Sequence, residues 1–206
     1  LRNASRIAVL ITAIGMSFFL EYTMMFFVGA EVRSYPMILS KKTFNFGDIL
    51  INIQQIYIVL TAVALMILLQ FIVHKTKTGK AMRAVSVDKE AAQLMGINVN
   101  TTISFTFAIG SAFAGAAGVL VGIYYNSIDP LMGMMPGLKA FVAAVFGGIG
   151  NIPGAMIGGL GIGIMETLIS GYGNSMYRDA AVFALLIIIL IVKPTGLLGK
   201  NTREKV

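Results

Sequence analysis

The chain has no cysteine, a single histidine and few charges, with only 12% of its 206 residues being Asp, Glu, Lys or Arg. Without cysteine, no disulfide, thiolate metal site or cysteine nucleophile is available. His74 ends an apolar run beside Lys75, and one histidine cannot build a metal cluster. A soluble domain carries about 25% charged residues. The deficit, with 57% apolar residues and a mean hydropathy of +0.83, points to a bilayer. The net charge of +7 lies between apolar runs, as topology signals do, and not on a phosphate-binding face. Nucleic acid is therefore not an expected partner. The 23 glycines have no collagen period and suit close helix packing in a membrane. Arg2 and Arg6 precede a full-length span, with no signal-peptide pattern, and the first residue is Leu1. The expectation is a chain that starts partway through a longer protein.

A helix needs roughly 20 mainly apolar residues to cross a bilayer. Residues 7–30, 53–73 and 103–125 meet that standard; 153–170 is slightly short and glycine-rich, and 180–192 is short but intensely apolar. A further apolar stretch, 137–147, is too short to span. Basic residues orient these runs. With 74–101 cytoplasmic, Arg2, Arg6, Lys75, Lys77, Lys80, Arg83, Lys89, Lys193, Lys200, Arg203 and Lys205 fall inside, against Arg33, Lys41, Lys42 and Arg178 outside, with Lys139 unassigned. This requires residues 137–170 to enter and leave from the outer side. They do so as a re-entrant pair or broken helix, whose irregular backbone would line a pathway, or as two spans joined by a tight turn. Both remain open. The expected fold is one all-α, polytopic transmembrane helix bundle over 1–206, with a cytoplasmic coupling helix.

Two rows of small residues recur at four-residue spacing: Gly110, Ala114, Gly118, Gly122, and Gly150, Gly154, Gly158. Such rows let helix backbones approach closely. Packing is the plain reading, and the functional one is helices that rock in a gated transporter. Gly147 and Gly148, in the turn-rich "GGIGNIPG", join Gly110, Gly118, Gly150, Gly154 and Gly158 as pathway or packing candidates. Glu21 and Glu166 are carboxylates inside apolar runs, where a charge is a functional hypothesis by default. The alternatives are helix-to-helix hydrogen bonding and ion coupling in a secondary carrier.

"TGKAMRAVSVDKEAAQLMGINVN", residues 78–100, is the most polar long stretch and reads as one or two short helices. Asp88 suits an N-cap, Glu90 the first turn and Gly96 a left-handed stop, giving a helix over Lys89–Met95. Asn100 can cap the following span. Ala91, Ala92, Leu94 and Met95 would form one weakly apolar surface that asks for a partner protein. Gly79-Lys80 fails as a phosphate loop, because His74 occupies the first glycine position and Ala81 the hydroxyl position. No nucleophile elbow, histidine–carboxylate cluster or metal spacing is present, so neither catalytic nor metal-binding residues are expected. A transporter driven by ATP would need its ATPase on another chain.

Glu90–Gly96 reads E-A-A-x-x-x-G, and it resembles the motif by which importer-type ABC permeases dock on their ATPases. "GKAMRAVSVDKEAAQLMGINVN", "DPLMGMMPGLKAFVAAVFGGIGNIPGAMIGGLGIGIMETL" and "KPTGLLG" together resemble the branched-chain amino acid ABC permease family over nearly the whole chain. "PGLKAFVAAVFGGIGNIPGA" and "GYGNSMYRDA" look closer to its LivH-type than its LivM-type subunit. The resemblance implies a multi-pass subunit of a prokaryotic inner membrane, not itself an enzyme, that imports leucine, isoleucine and valine. It implies a second, LivM-type permease, two cytoplasmic ATPases that hold the ATP and magnesium, and an extracytoplasmic binding protein; no cofactor falls to this chain. The family motif maps onto Asp88, Glu90, Ala91, Ala92 and Gly96, and Lys80 and Arg83 join them as candidates in the ATPase-coupling loop. The chain departs from the pattern at Lys89, where family members often carry proline, and lacks the I-x-L-P continuation after Gly96. Another amino acid, a sugar, an ion-coupled carrier and a membrane scaffold are the competing readings.

Overall fold

The computed structural model describes residues 6–36, 43–46 and 49–199; Arg2, Lys41, Lys42, Lys200, Arg203 and Lys205 lie outside the described residues. The element order is α1 (Arg6–Val28), β1 (Arg33–Ser34), β2 (Thr43–Phe46), β3 (Ile49–Asn52), α2 (Ile53–Lys75), α3 (Lys77–Val87), α4 (Lys89–Leu94), α5 (Val99–Tyr125), β4 (Ser127–Ile128), α6 (Met134–Gly147), α7 (Ile152–Tyr172) and α8 (Arg178–Val192), the last preceded by a 3-10 turn at Ser175–Tyr177. Helices α1, α2, α5 and α7 and the Ser175–Val192 segment are long and apolar enough to cross a membrane. Large apolar side chains face outward along them, Phe26 being 83% and Phe27 79% exposed, as lipid-facing helices require.

Each predicted run is a helix, with shifted ends. The largest shift is at α5, which starts at Val99 because Asn98 caps it by accepting from the Thr101 N–H at 3.1 Å. Asn100, expected to be the cap, lies inside the first turn, so its role passes to Asn98. Two short ribbons interrupt the all-helical pattern. β1 pairs antiparallel with β4, and β2 with β3. The first ties the end of α1 to the end of α5, with the Tyr35 N–H donating to the Asn126 carbonyl at 3.0 Å.

These contacts settle which helix ends lie together. One cleft gathers Ile58 near the start of α2, Tyr124 and Tyr125 ending α5, Lys139 early in α6, Glu166 late in α7 and Arg178 opening α8. The α3–α4 segment, the α6–α7 turn and the chain leaving α8 consequently share the opposite end, the arrangement that the basic residues predicted. Val9, early in α1, lies there too, across an open groove from α4.

Helices α6 and α7 form a tight helical hairpin. Gly154 and Gly158 sit so close to α6 that an added Cβ would overlap the carbonyl oxygens of Gly147 and Ala143. Behind them Val142, Ala143, Ile162 and Val182 form a buried cluster joining α6, α7 and α8. At the turn, Gly148 has a φ of +107°, a value that glycine adopts without strain. Residues 195–199 lie across it. The Leu197 and Leu198 N–H groups donate to the Phe146 and Gly147 carbonyls at 2.9 and 3.0 Å. The Asn151 side chain donates to the Leu198 carbonyl at 3.0 Å while its oxygen caps α7 at Gly154. The carbonyls left over at the end of α6 are thus satisfied by the tail. The turn is level with the end of α8, so the hairpin runs as deep as α8 does. Helix α7, 21 residues or about 31 Å long, has a full crossing length, and α6, with 14 residues or about 21 Å, does not.

Gly158→Ala places a methyl group against the Ala143 carbonyl and is expected to destabilise the bundle by about 1–3 kcal/mol, the usual cost of overpacking. Gly171→Ala, on the same helix with no atom within 4 Å of the added Cβ, should leave stability unchanged. Denaturant unfolding in mixed micelles followed by circular dichroism checks both; equal stability of the two variants would sink the close-approach argument.

Candidate functional site

The polar stretch folds into two short helices with one shared cap. Thr76 starts α3 by accepting from the Gly79 N–H at 3.0 Å. Gly79 lies against the carbonyls of Ile72 and Val73, where a side chain would overlap α2. The Arg83 guanidinium reaches back to the His74 carbonyl at 3.5 Å, at the negative end of the α2 dipole. Lys80 is exposed on the same helix. Asp88 both ends α3, its N–H donating to the Ala84 carbonyl at 3.1 Å, and starts α4, its carboxylate accepting from Glu90 and Ala91 at 2.9 and 3.0 Å.

The stop of α4 is a Schellman motif. The Gly96 N–H donates to the Gln93 carbonyl and the Ile97 N–H to the Ala92 carbonyl, both at 3.0 Å, with Gly96 at φ +81°. Helix α4 therefore covers Lys89–Leu94, one residue short of expectation, with Met95 as its C-cap. Glu90 and Ala91 are exposed, as are Val87, Leu94 and Met95, the last three 83–89%. Ala92 is not on that surface. At 4% exposure it faces the bundle, where α4 packs on α3 and α5, and Val87 takes its place among the outward apolar groups. Beside this apolar edge lies an open groove of about 740 Å³, lined by Val9, Lys89, Glu90, Gln93 and Asn100 among others. The element thus presents a short apolar edge flanked by a groove of mixed lining, at the end of the molecule that carries most of the described basic residues.

The small-residue rows separate. Gly147, Gly154 and Gly158 make the α6–α7 hairpin, and Gly148 lies against Gly199. Gly150 has a positive φ of 87° with no atom within 4 Å of an added Cβ. Gly110 and Gly118 also meet nothing within 4 Å, so that face of α5 is open in this chain. Gly122, in the same row, instead meets Ile128 and Tyr35 at 3.2–3.3 Å.

The two carboxylates also differ. Glu21 is half-exposed on α1 and accepts from the Ser17 hydroxyl at 3.0 Å. Glu166 is paired. Its Oε1 lies 2.6 Å from the Lys139 ammonium, which also lies 2.8 Å from Asp179 Oδ1, and Arg178 Nε is 3.8 Å from that same oxygen. Sequence reasoning left Lys139 unassigned and treated Glu166 alone. The signal was a lone lysine and a lone glutamate in neighbouring apolar helices, since charges at membrane depth are expected to find each other. The cluster closes one end of a cleft of about 490 Å³ between α2, α5, α6, α7 and α8.

Comparison with known proteins agrees with this architecture. Residues 2–192 match a family described as branched-chain amino acid transport system / permease component. The high-affinity branched-chain amino acid transport system permease protein LivH of Escherichia coli K12 is 44% identical over 210 residues, covering 100% of this chain and 68% of LivH. The corresponding permease BraD of Pseudomonas aeruginosa is 40% identical over 211 residues, with coverage of 100% and 68%. A ribose import permease, RbsC of Haemophilus influenzae, is 30% identical over 128 residues, 59% of this chain and 40% of RbsC. No solved structure matches the chain. With a match over nearly its whole length, five crossing-length helices and an ordered polar element at one end, this chain is a multi-pass inner-membrane protein and belongs to the branched-chain amino acid transport permease family.

Proposed function

We propose that this chain is the membrane-spanning subunit of an ATP-driven importer for leucine, isoleucine and valine, with Lys80, Arg83, Asp88, Glu90, Ala91 and Gly96 forming its contact with a cytoplasmic ATPase. The observation that carries the reading is the α3–α4 element. A polar segment this long could hang as a loose loop, yet each end of both helices is capped and the pair is seated on α2 and α5. Its exposed face combines Glu90 with the apolar Val87, Leu94 and Met95. Relatives 40–44% identical over the whole of this chain are named for branched-chain amino acids, which supports that substrate class.

The companions in this reading are a second, LivM-type permease, two cytoplasmic ATPases holding ATP and magnesium, and an extracytoplasmic binding protein. The open α5 face at Gly110 and Gly118 suits a close-packed helix of the second permease. The chain then performs no covalent chemistry. ATP hydrolysis in the companions displaces the α3–α4 element, and the helices seated on it convey that displacement to the pathway.

Glu90→Lys reverses a charge on the docking face without touching a cap, and should reduce ATP-driven leucine uptake on the order of tenfold. The ATPase subunits should co-purify poorly with it, while the bundle inserts normally. Gly96→Leu should act likewise by straining the left-handed stop. Undiminished co-purification together with undiminished uptake in both variants would defeat the docking assignment.

Asp88→Ala removes the two N–H acceptors that start α4 and is expected to cost about 1 kcal/mol of local helix stability. Faster amide hydrogen exchange confined to residues 89–95 would show it; unchanged exchange there would mean that the cap is dispensable.

A further inference from the structure

The cleft between α6, α7 and their neighbours combines two chemistries. One end holds two cations and two carboxylates, Lys139, Arg178, Glu166 and Asp179, linked by contacts of 2.6, 2.8 and 3.8 Å. The remaining wall is aliphatic and aromatic, with Ile58, Leu120, Val121, Ile162 and Tyr124 from three different helices. Lys139 and Glu166 are each only 20% exposed. The floor is open where α7 passes: no atom lies within 4 Å of where a Gly163 Cβ would sit. The volume of about 490 Å³ falls within the range of small-ligand sites and leaves room for a single amino acid.

We infer that this cleft is a binding site for a free aliphatic amino acid, its carboxylate held by Lys139 and Arg178, its ammonium by Glu166 and Asp179, and its side chain by the apolar wall. The inference rests on the amino acid import reading above and gives it a location within this chain. The four protein charges are neutral as a set. A zwitterion exchanges partners with them one for one, so neither Lys139 nor Glu166, the two largely covered groups, is left unpaired. A bare amine or a bare carboxylic acid brings one charge and leaves one protein group without a partner, which discriminates strongly against it. Two roles follow for Lys139. It joins α6, α7 and α8 when the cleft is empty, and it turns to the ligand carboxylate when the cleft is filled.

The absence of cysteine makes the test direct, because Ala140→Cys places the chain's only thiol on the cleft wall. The variant is assembled with its companion subunits in nanodiscs and treated with a small maleimide, and labelling of this chain is read by mass spectrometry. L-Leucine should slow labelling, whereas 4-methylpentanoate and isopentylamine should need concentrations on the order of tenfold higher or more. Gly163→Leu, added to that background, carries a side chain into the cleft from a position where no atom lies within 4 Å of its Cβ, and should abolish protection while the bundle still inserts. Exchanging both groups for neutral ones, with Lys139→Gln and Glu166→Gln together, removes one charge of each sign and leaves Asp179 beside Arg178. It should permit assembly and not leucine protection.

Equal protection by all three compounds, or protection that survives the exchange, would reduce the cleft to an apolar pocket with a structural ion pair and overturn the proposal. So would the absence of protection in every nucleotide state while leucine uptake proceeds, which leaves the importer reading standing. Protection by leucine without ATP-driven uptake would do the reverse, keeping the site and sinking the importer reading.

Discussion

The structure depends on how a helix can end inside a membrane protein without leaving its last carbonyls bare. The last carbonyls of α6 have no partners within the helix and, packed against α7 and the tail, need them from elsewhere in the protein. The segment after α8 supplies them through the N–H groups of Leu197 and Leu198. This works only because backbone meets backbone. Gly196 and Gly148 lie so close that a Cβ on Gly196 would sit 2.5 Å from the Gly148 backbone. The tail is consequently part of the fold, although little in its hydropathy marks it as such.

That closure sets the position of the charges further along both helices, about two and a half turns away on α6 and about four on α7. The turn at Gly148 fixes the register of α6 against α7, and Gly154 and Gly158 hold the two backbones together. With register and spacing fixed, Lys139 stands opposite Glu166. The packing of Val182 into the Val142–Ile162 cluster then fixes α8, which brings Asp179 to the same ammonium. One lysine bridging two carboxylates is thus a consequence of glycine packing as much as of electrostatics. Placed one residue out of register, each of these groups would face lipid or bulk helix surface, where an unpaired charge is costly.

The sequence revealed elements far better than it revealed meetings between them. Apolar runs located the five crossing-length segments and the shorter α6 among the described residues, because lipid demands length and apolarity, which are properties of a contiguous stretch. The α3–α4 element was equally readable, since caps are local: Asp88, Glu90 and Gly96 act on neighbours within a few residues. Even there, the choice between Asn98 and Asn100 as a cap was not visible, because both stand before the same apolar run and only backbone geometry decides. Ala92 was misplaced for a related reason. A six-residue helix has too few turns for periodicity to show which face is covered. Long-range contacts were hidden almost entirely. "KPTGLLG" and "GGIGNIPG" look like two unrelated glycine-rich loops, and Lys139 looks like a stray charge, until folding brings each to its partner.

The two ends of the molecule are joined by different kinds of helix. Helix α2 starts beside the cleft at Ile58 and ends under α3, where Gly79 rests on its last turn. It contains no glycine or proline between Ile53 and Lys75, so it transmits displacement as a rod. Helix α5 also runs from the α4 side at Asn98 to the cleft at Tyr124 and Tyr125, but it carries Gly110, Gly115, Gly118 and Gly122 along the way. Three of these have open space where a side chain would be, so α5 offers a surface on which another helix can seat closely and shift. In the proposed importer, a push at α3–α4 would reach the cleft by two routes at once, a stiff one and a slidable one. Their unequal response would tilt Ile58 relative to Tyr124, altering the width of the cleft without requiring any helix to break.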